Sequence, residues 1–284
     1  MKKLKYLLLA KSIGFYINVL SFVAPKKAIL KAYAIFSSPR KGKIQIDAIP
    51  EVLKSAEAIA FDFEGKIIQT YLWKGNETVL FLIHGWESNS ARWKKALPYI
   101  LKSGYTIVAI DAPAHGLSSG KDFNAHKYTE FIHHVAKMYN PKILIGHSIG
   151  GKACLHYQTI HKNKNVEKIV VLGAPSDFKV IFENYIALLG LNSKVNNGLV
   201  NYYKENFNLS NKEIEGPLFS NESNIKGLIA HDIEDKVVAF AEAEKNAKAW
   251  EEALFIETKG LGHSMNDEKL FEKISEFIIS SEVK

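Results

Sequence analysis

The residues in this chain best suited to chemistry are Gly146-His147-Ser148-Ile149-Gly150. A serine held between two glycines at G-x-S-x-G spacing, where a strand turns sharply into a helix, presents its hydroxyl above the sheet. The glycines remove side chains that would collide with neighbouring backbone. A strand expected over 142–145 and a helix over 150–161 supply that setting. The plainer alternative is a glycine-rich turn in which Ser148 only caps the following helix.

A neutral serine hydroxyl is a weak nucleophile, so it needs a base, and the base needs a partner that fixes its tautomer. Both follow later in the chain. After a strand over 227–230 comes His231-Asp232-Ile233-Glu234-Asp235-Lys236-Val237-Val238, and after a strand over 254–258 comes Lys259-Gly260-Leu261-Gly262-His263. His263 is the candidate base. Among the three acids Asp235 is preferred, because it stands deepest in its loop just before the next helix; Asp232 is expected to orient that loop. The negative charge that develops on an attacked carbonyl needs donors. The N–H of Ile149 supplies one, and the loop His84-Gly85-Trp86 after the third strand supplies a second through the N–H of Trp86 beside Gly85. His84 fits a loop-shaping hydrogen bonder better than a base.

These residues need a frame that brings strand ends together. Strands are expected at 58–63, 66–73, 78–83, 105–110, 142–145, 168–172, 227–230 and 254–258, the first two joined as a hairpin across Glu64-Gly65. Several are unbroken apolar runs, as in strands buried on both faces. Helices are expected at 90–102, 125–139, 150–161, 239–250 and 268–279. This alternation is an α/β architecture, a mostly parallel eight-stranded sheet with helices on both faces. About 50 residues between the sixth and seventh strands break the rhythm. They open with an apolar helix over 178–189 stopped by Gly190 and continue Asn-rich, and they are read as a helical cap insertion at about 175–225 over one end of the sheet.

The charge is distributed unevenly. The 284 residues have a net charge of +7, yet residues 1–46 hold ten basic side chains and no acidic one, leaving −3 on 47–284. The expected division is therefore a basic amphipathic helical leader, 1–46, and a catalytic domain, 47–284. Lys11 breaks the leader's apolar run, which argues against a membrane span of about 20 residues or a signal peptide. Two short amphipathic helices are expected, either docked on the domain by their apolar faces or lying on an anionic membrane surface. No nucleic-acid-binding module accompanies the lysines. The single cysteine, Cys154, excludes an internal disulfide and paired-cysteine zinc sites and reads as core. The histidines at 133, 134, 156 and 161 lack the spacing of a helical zinc site and read as helix-surface residues.

From about 56 to 281 the chain resembles the α/β-hydrolase superfamily, in particular its lipase-like and esterase-like serine hydrolases. The His84-Gly85 loop, the run Asp111-Ala112-Pro113-Ala114-His115-Gly116-Leu117-Ser118, the turn at Ser148, Asp235 and Gly262-His263 fall in family order. The resemblance implies a carboxylic-ester hydrolase working through a serine acyl-enzyme, with no cofactor, a small-molecule ester as its partner and no nucleic acid. Amide or thioester cleavage uses the same machinery, and a non-catalytic binding protein is the alternative on the same fold. The apolar helix at 178–189 suggests a hydrophobic acyl group. A cytoplasmic location is expected, with residues 1–46 the part that would touch a membrane. Trp86 departs from the family, standing where many esterases have a further glycine, and so is expected to narrow the acyl site.

Overall fold

The computed structural model describes residues 2–207 and 224–280. Two compact units divide the chain. One contains Met1–Ser38 with Asp177–Gly216, the other Pro39–Ser176 with Pro217–Lys284.

The larger unit is built on one eight-stranded sheet: β1 (Glu57–Phe63), β2 (Lys66–Trp73), β3 (Asn76–Ile83), β4 (Tyr105–Ile110), β5 (Ile143–His147), β6 (Lys168–Leu172), β7 (Lys226–Asp232) and β8 (Leu254–Thr258). The strand order is β1-β2-β4-β3-β5-β6-β7-β8. β1 and β2 form the expected hairpin, β2 runs antiparallel to β4, and every other pairing is parallel. The central strands bury both faces. Leu80, Leu82, Ile143, Ile145, Val170 and Leu228 face a core that includes Leu270, Phe271, Ile274 and Phe277. The alternate residues Phe81, Ile83, Leu144, Ile169 and Val171 are equally buried. This two-sided burial explains why these strands read as continuous apolar runs.

The longer helices are α1 (Lys2–Val23), α2 (Pro25–Ser37), α3 (Ala125–Tyr139), α4 (Ile149–His161), α5 (Lys179–Leu189), α6 (Ser193–Phe207), α7 (Phe240–Ala249) and α8 (Glu268–Ile279); α6 forms in the Asn-rich stretch, where no helix was expected. α3 starts where the Asn124 side chain accepts from Lys127 N–H, and α8 where Asp267 accepts from Leu270 N–H, both ordinary N-caps. The helix expected over 90–102 is instead broken into a 3-10 turn (Ser90–Lys95), one α turn (Leu97–Ile100) and a second 3-10 turn (Leu101–Ser103). Pro98 lacks an amide donor and its ring crowds the preceding turn, so one regular helix cannot run through it.

The smaller unit joins the leader to the insertion. α1 and α2 pack against α5 and α6, elements some 150 residues away in sequence. Phe36 stacks on Phe182 at 5.3 Å and meets Tyr185 at 4.9 Å, and Tyr203 closes on Phe182 at 4.6 Å. Tyr185 O–H donates to Ala32 O at 2.8 Å. The apolar side of α5 is thus engaged by packing inside this unit, and supplies no reason to infer a hydrophobic acyl group. The leader also differs from the two short amphipathic helices expected. α1 is one 22-residue helix that continues through Lys11, because the Lys11 ammonium donates to Ala187 O at 2.7 Å, in the last turn of α5. Part of the insertion, 208–223, lies outside the described residues.

Gly14 lets α1 pack closely on the end of α5, since a Cβ there would overlap the Leu189 carbonyl. Gly14→Val is expected to speed amide hydrogen exchange in 10–21 and 185–192 while leaving protection in β3, β5 and β6 unchanged, as read by exchange mass spectrometry. Equal protection in both proteins would mean that this contact does not hold the helices together.

Candidate active site

The turn between β5 and α4 puts Ser148 in a backbone conformation with φ +55° and ψ −129°. That region is costly for any residue with a Cβ, on the order of 1–3 kcal/mol, so the surroundings must enforce it. They do so by close packing. A Cβ at Gly150 would overlap the carbonyls of Ile83 and His84 at the end of β3, and one at Gly146 would overlap Gly150 and Gly151. A Cβ at Gly85 would lie 2.9 Å from that of Ser148. Ser148 occupies the N-cap position of α4 but makes no capping hydrogen bond with its side chain, which excludes the simple capping alternative.

Its hydroxyl instead faces His263. Ser148 Oγ lies 3.0 Å from His263 Nε2, and His263 Nδ1 lies 2.7 Å from Asp235 Oδ2. Since Asp235 accepts the hydrogen bond from Nδ1–H, that proton stays on Nδ1 and Nε2 is left as an acceptor toward the hydroxyl, the tautomer a general base requires. Burial alone would push the Asp235 carboxyl up. Hydrogen bonds from His231, His263 and the N–H groups of Val237 (2.8 Å) and Val238 (3.0 Å) outweigh it, and the group is held well below the usual carboxylate range. Asp232 accepts from Leu261 N–H at 2.8 Å, Thr258 Oγ1 at 2.9 Å and Glu234 N–H at 3.0 Å, tying the Asp235 loop to the His263 loop. It orients the loops, as expected. Glu234 takes no part in this network beyond that N–H.

The loop after β3 is fixed from beneath. His84, fully buried, points Nδ1 at Gly85 O (2.7 Å) and accepts from Ala112 N–H at Nε2 (2.9 Å), so it is a structural hydrogen bonder. Desolvation holds its pKa well below the ordinary histidine value and keeps it neutral. The Asp111 run has the same task. Asp111 Oδ1 accepts from both the N–H and the hydroxyl of Ser90, at 2.9 and 2.7 Å, while Oδ2 accepts from Leu117 N–H at 3.0 Å. His115 Nε2 accepts from Glu87 N–H at 3.0 Å. A Cβ at Gly116, whose φ is +49°, would overlap the Asp111 carboxylate. The run thus braces 84–90, the segment that presents the Trp86 N–H. The Trp86 indole rests against His115 and Phe123, with ring centroids at 5.5 and 5.3 Å.

Ser148, Asp235 and His263 are therefore brought together, and Gly85 and Ile149 adjoin Ser148. Two residues of this cluster escaped sequence reasoning. His231 Nε2 lies 3.3 Å from Asp235 Oδ2 and 3.0 Å from Val238 O, so the acid holds two imidazoles. His147 Nε2 donates to His263 O at 2.7 Å, steadying the loop of the base; burial keeps this histidine neutral too. Both stand beside residues singled out by motif, and their own positions carried no spacing signal. One surface assignment is corrected: His156 is fully buried, with Nδ1 3.1 Å from Thr129 Oγ1, because α3 packs along α4. Cys154 is core, and burial pushes its thiol up.

A family profile described as the alpha/beta hydrolase fold matches residues 78–210, from β3 through the Ser148 turn into the insertion. Among solved structures, Est1E from Butyrivibrio proteoclasticus, determined with ferulic acid bound, superposes with a TM-score of 0.65 over 78% of this chain and 98% of its own, at 18% identity. The chain is an alpha/beta hydrolase-fold protein. Curated relatives include the human Protein ABHD8, 37% identical over 84 residues, covering 28% of this chain and 19% of the relative. The bifunctional esterase/perhydrolase DCH of Acinetobacter calcoaceticus is 30% identical over 101 residues, 34% of this chain and 36% of the relative. The chain thus spans well under half the length of these two relatives, and what it shares with them is part of the hydrolase fold.

A carboxyl that titrates lower in the folded than in the unfolded chain adds stability that is fully present above the ordinary aspartate value of about 4, and that is lost as pH falls through the folded value. Asp235→Asn is therefore expected to unfold at lower urea than wild type at pH 7, with the difference shrinking below about pH 4. A difference independent of pH would contradict the role given to the Asp235 charge.

Proposed function

We propose that the protein is a serine hydrolase cleaving a carboxylic ester through an acyl-enzyme. The observation that carries this reading is the unbroken chain from Asp235 Oδ2 through His263 to Ser148 Oγ, with contacts of 2.7 and 3.0 Å at the strained turn. In the first half-reaction Ser148 Oγ attacks the acyl carbon as His263 Nε2 takes its proton. The carbonyl oxygen becomes an oxyanion between the N–H groups of Ile149 and Trp86. Collapse of this intermediate expels the alkoxide, which leaves as the alcohol with the proton from His263. Water then enters, His263 takes its proton, and the hydroxide attacks the acyl carbon. Ser148 leaves, recovers the proton and frees the carboxylic acid. Asp235 stays ionised throughout and stabilises the imidazolium that forms twice per cycle. Its depressed titration suits that task. The similarity to an esterase/perhydrolase supports the same class of chemistry.

Hydrolysis of p-nitrophenyl esters of graded acyl length tests the reading and measures the acyl preference together. Wild type is expected to turn over at least one member of the series, and Ser148→Ala to lower kcat by about ten-thousand-fold with its fold unchanged. Equal inertness of both proteins across the panel, and across matching thioesters and amides, would remove ester hydrolysis from consideration.

A further inference from the structure

The helical unit carries a surface that acyl chemistry does not use. On α1 the inward stripe is Ala10, Gly14, Ile17 and Ser21, spaced to fall on one face, and three of the four are small. The opposite side presents Leu4, Leu8, Phe15, Val19, Phe22 and Val23, with Phe15 72% and Phe22 74% exposed. A helix covering a water-soluble core is arranged the other way, with its large apolar side chains inward. Small residues inward and large apolar residues outward is the pattern of helices whose outer face meets hydrocarbon. Among the described residues, 11 of the 21 exposed large apolar side chains lie between Leu4 and Leu30, concentrating in one place what soluble proteins scatter.

The charges around this face select its partner. Residues 1–38 contain seven lysines and no acid. Lys5, Lys26, Lys27 and Lys31 are exposed. Lys31 Nζ lies 5.2 Å from the Tyr16 ring and Lys194 Nζ 5.5 Å from the Phe22 ring, so cations border the apolar side chains. The mid-helix cation, Lys11, is tied to the Ala187 carbonyl. A second copy of the unit would set lysines against lysines, whereas anionic headgroups neutralise them.

We propose that α1 lies in the plane of an anionic membrane surface, its outer apolar side chains in the acyl region and its neighbouring lysines among the headgroups. By length and composition Leu4–Val23, with a mean hydropathy of 1.6, is enough to cross a bilayer. Its inner contacts forbid that arrangement. Asn18 Nδ2 donates to Gly190 O at 2.8 Å, and Asn18 Oδ1 accepts from Asn192 N–H at 2.8 Å. The Asn192 side chain donates to Ser21 Oγ at 3.1 Å. A spanning α1 would draw these groups, and with them the Lys194, Asn196, Asn197, Lys204 and Glu205 of α6, into hydrocarbon. In the interface they stay on the aqueous side. This binding is independent of the ester reading and has its own measurement.

Flotation of the full chain with unilamellar vesicles tests it. Wild type is expected to float with equimolar phosphatidylcholine and phosphatidylglycerol, and less with phosphatidylcholine alone. Phe15→Glu combined with Phe22→Glu, both highly exposed positions, is expected to reduce the bound fraction at least about tenfold with an unchanged circular dichroism spectrum. Lys26→Glu with Lys27→Glu is expected to abolish the preference for the anionic lipid. Nitroxide labels placed through Leu8→Cys, Phe15→Cys or Phe22→Cys are expected to report equal depth by power saturation. Three results would overturn the proposal: wild type remaining unbound with every vesicle, as a monomer or as an oligomer closed over this face; undiminished flotation of the phenylalanine variant; or a graded depth with position 15 deepest, which would mean a spanning helix.

Discussion

The left-handed backbone at Ser148 is the constraint on which the site depends. A serine with φ +55° persists only where its neighbours leave no alternative. The glycines at 85, 146 and 150 allow β3, β5 and α4 to close around it. The parallel register of β3 with β5 brings the 84–86 loop beside it, and those of β6 with β7 and β7 with β8 bring up the Asp235 and His263 loops. A shift of one residue in any of these pairings would turn the strand-end residues to the opposite face. Burial of both faces of the central strands makes such a shift costly, and so the core of the sheet positions Ser148, Asp235 and His263.

Around that point the polar groups divide into charge holders and loop holders. Asp235 concentrates negative charge beside His263 and is stabilised there by His231 and two backbone N–H groups. Asp232, Asp111, His84 and His147 hold loops in place, each by at least one hydrogen bond to backbone. The buried histidines of this second group are kept neutral by desolvation. They place no positive charge near the His263 imidazole.

Much of this was legible in the sequence because it is local or strongly periodic. Buried parallel strands are apolar runs of limited length, and all eight lie within a few residues of where those runs predicted them. G-x-S-x-G between a strand and a helix locates Ser148, and position within its loop separates Asp235 from Asp232. What was not legible depends on contacts far apart in the chain. The pairing of α1 and α2 with α5 and α6 spans some 150 residues, and no local pattern encodes it. The bond from Asp111 to Ser90 and that from His147 to His263 O exist only once the sheet has formed. His231 looks like any strand-end histidine until β7 sets its ring beside Asp235.

The central claim, that Ser148 is made nucleophilic by His263 and Asp235, is met most directly by a fluorophosphonate reagent followed by intact-mass and peptide mass spectrometry. A single covalent adduct on Ser148 is predicted for the wild-type chain, absent in Ser148→Ala and formed far more slowly in His263→Ala. A folded wild type that takes up no reagent, or an adduct that survives in Ser148→Ala, would contradict it.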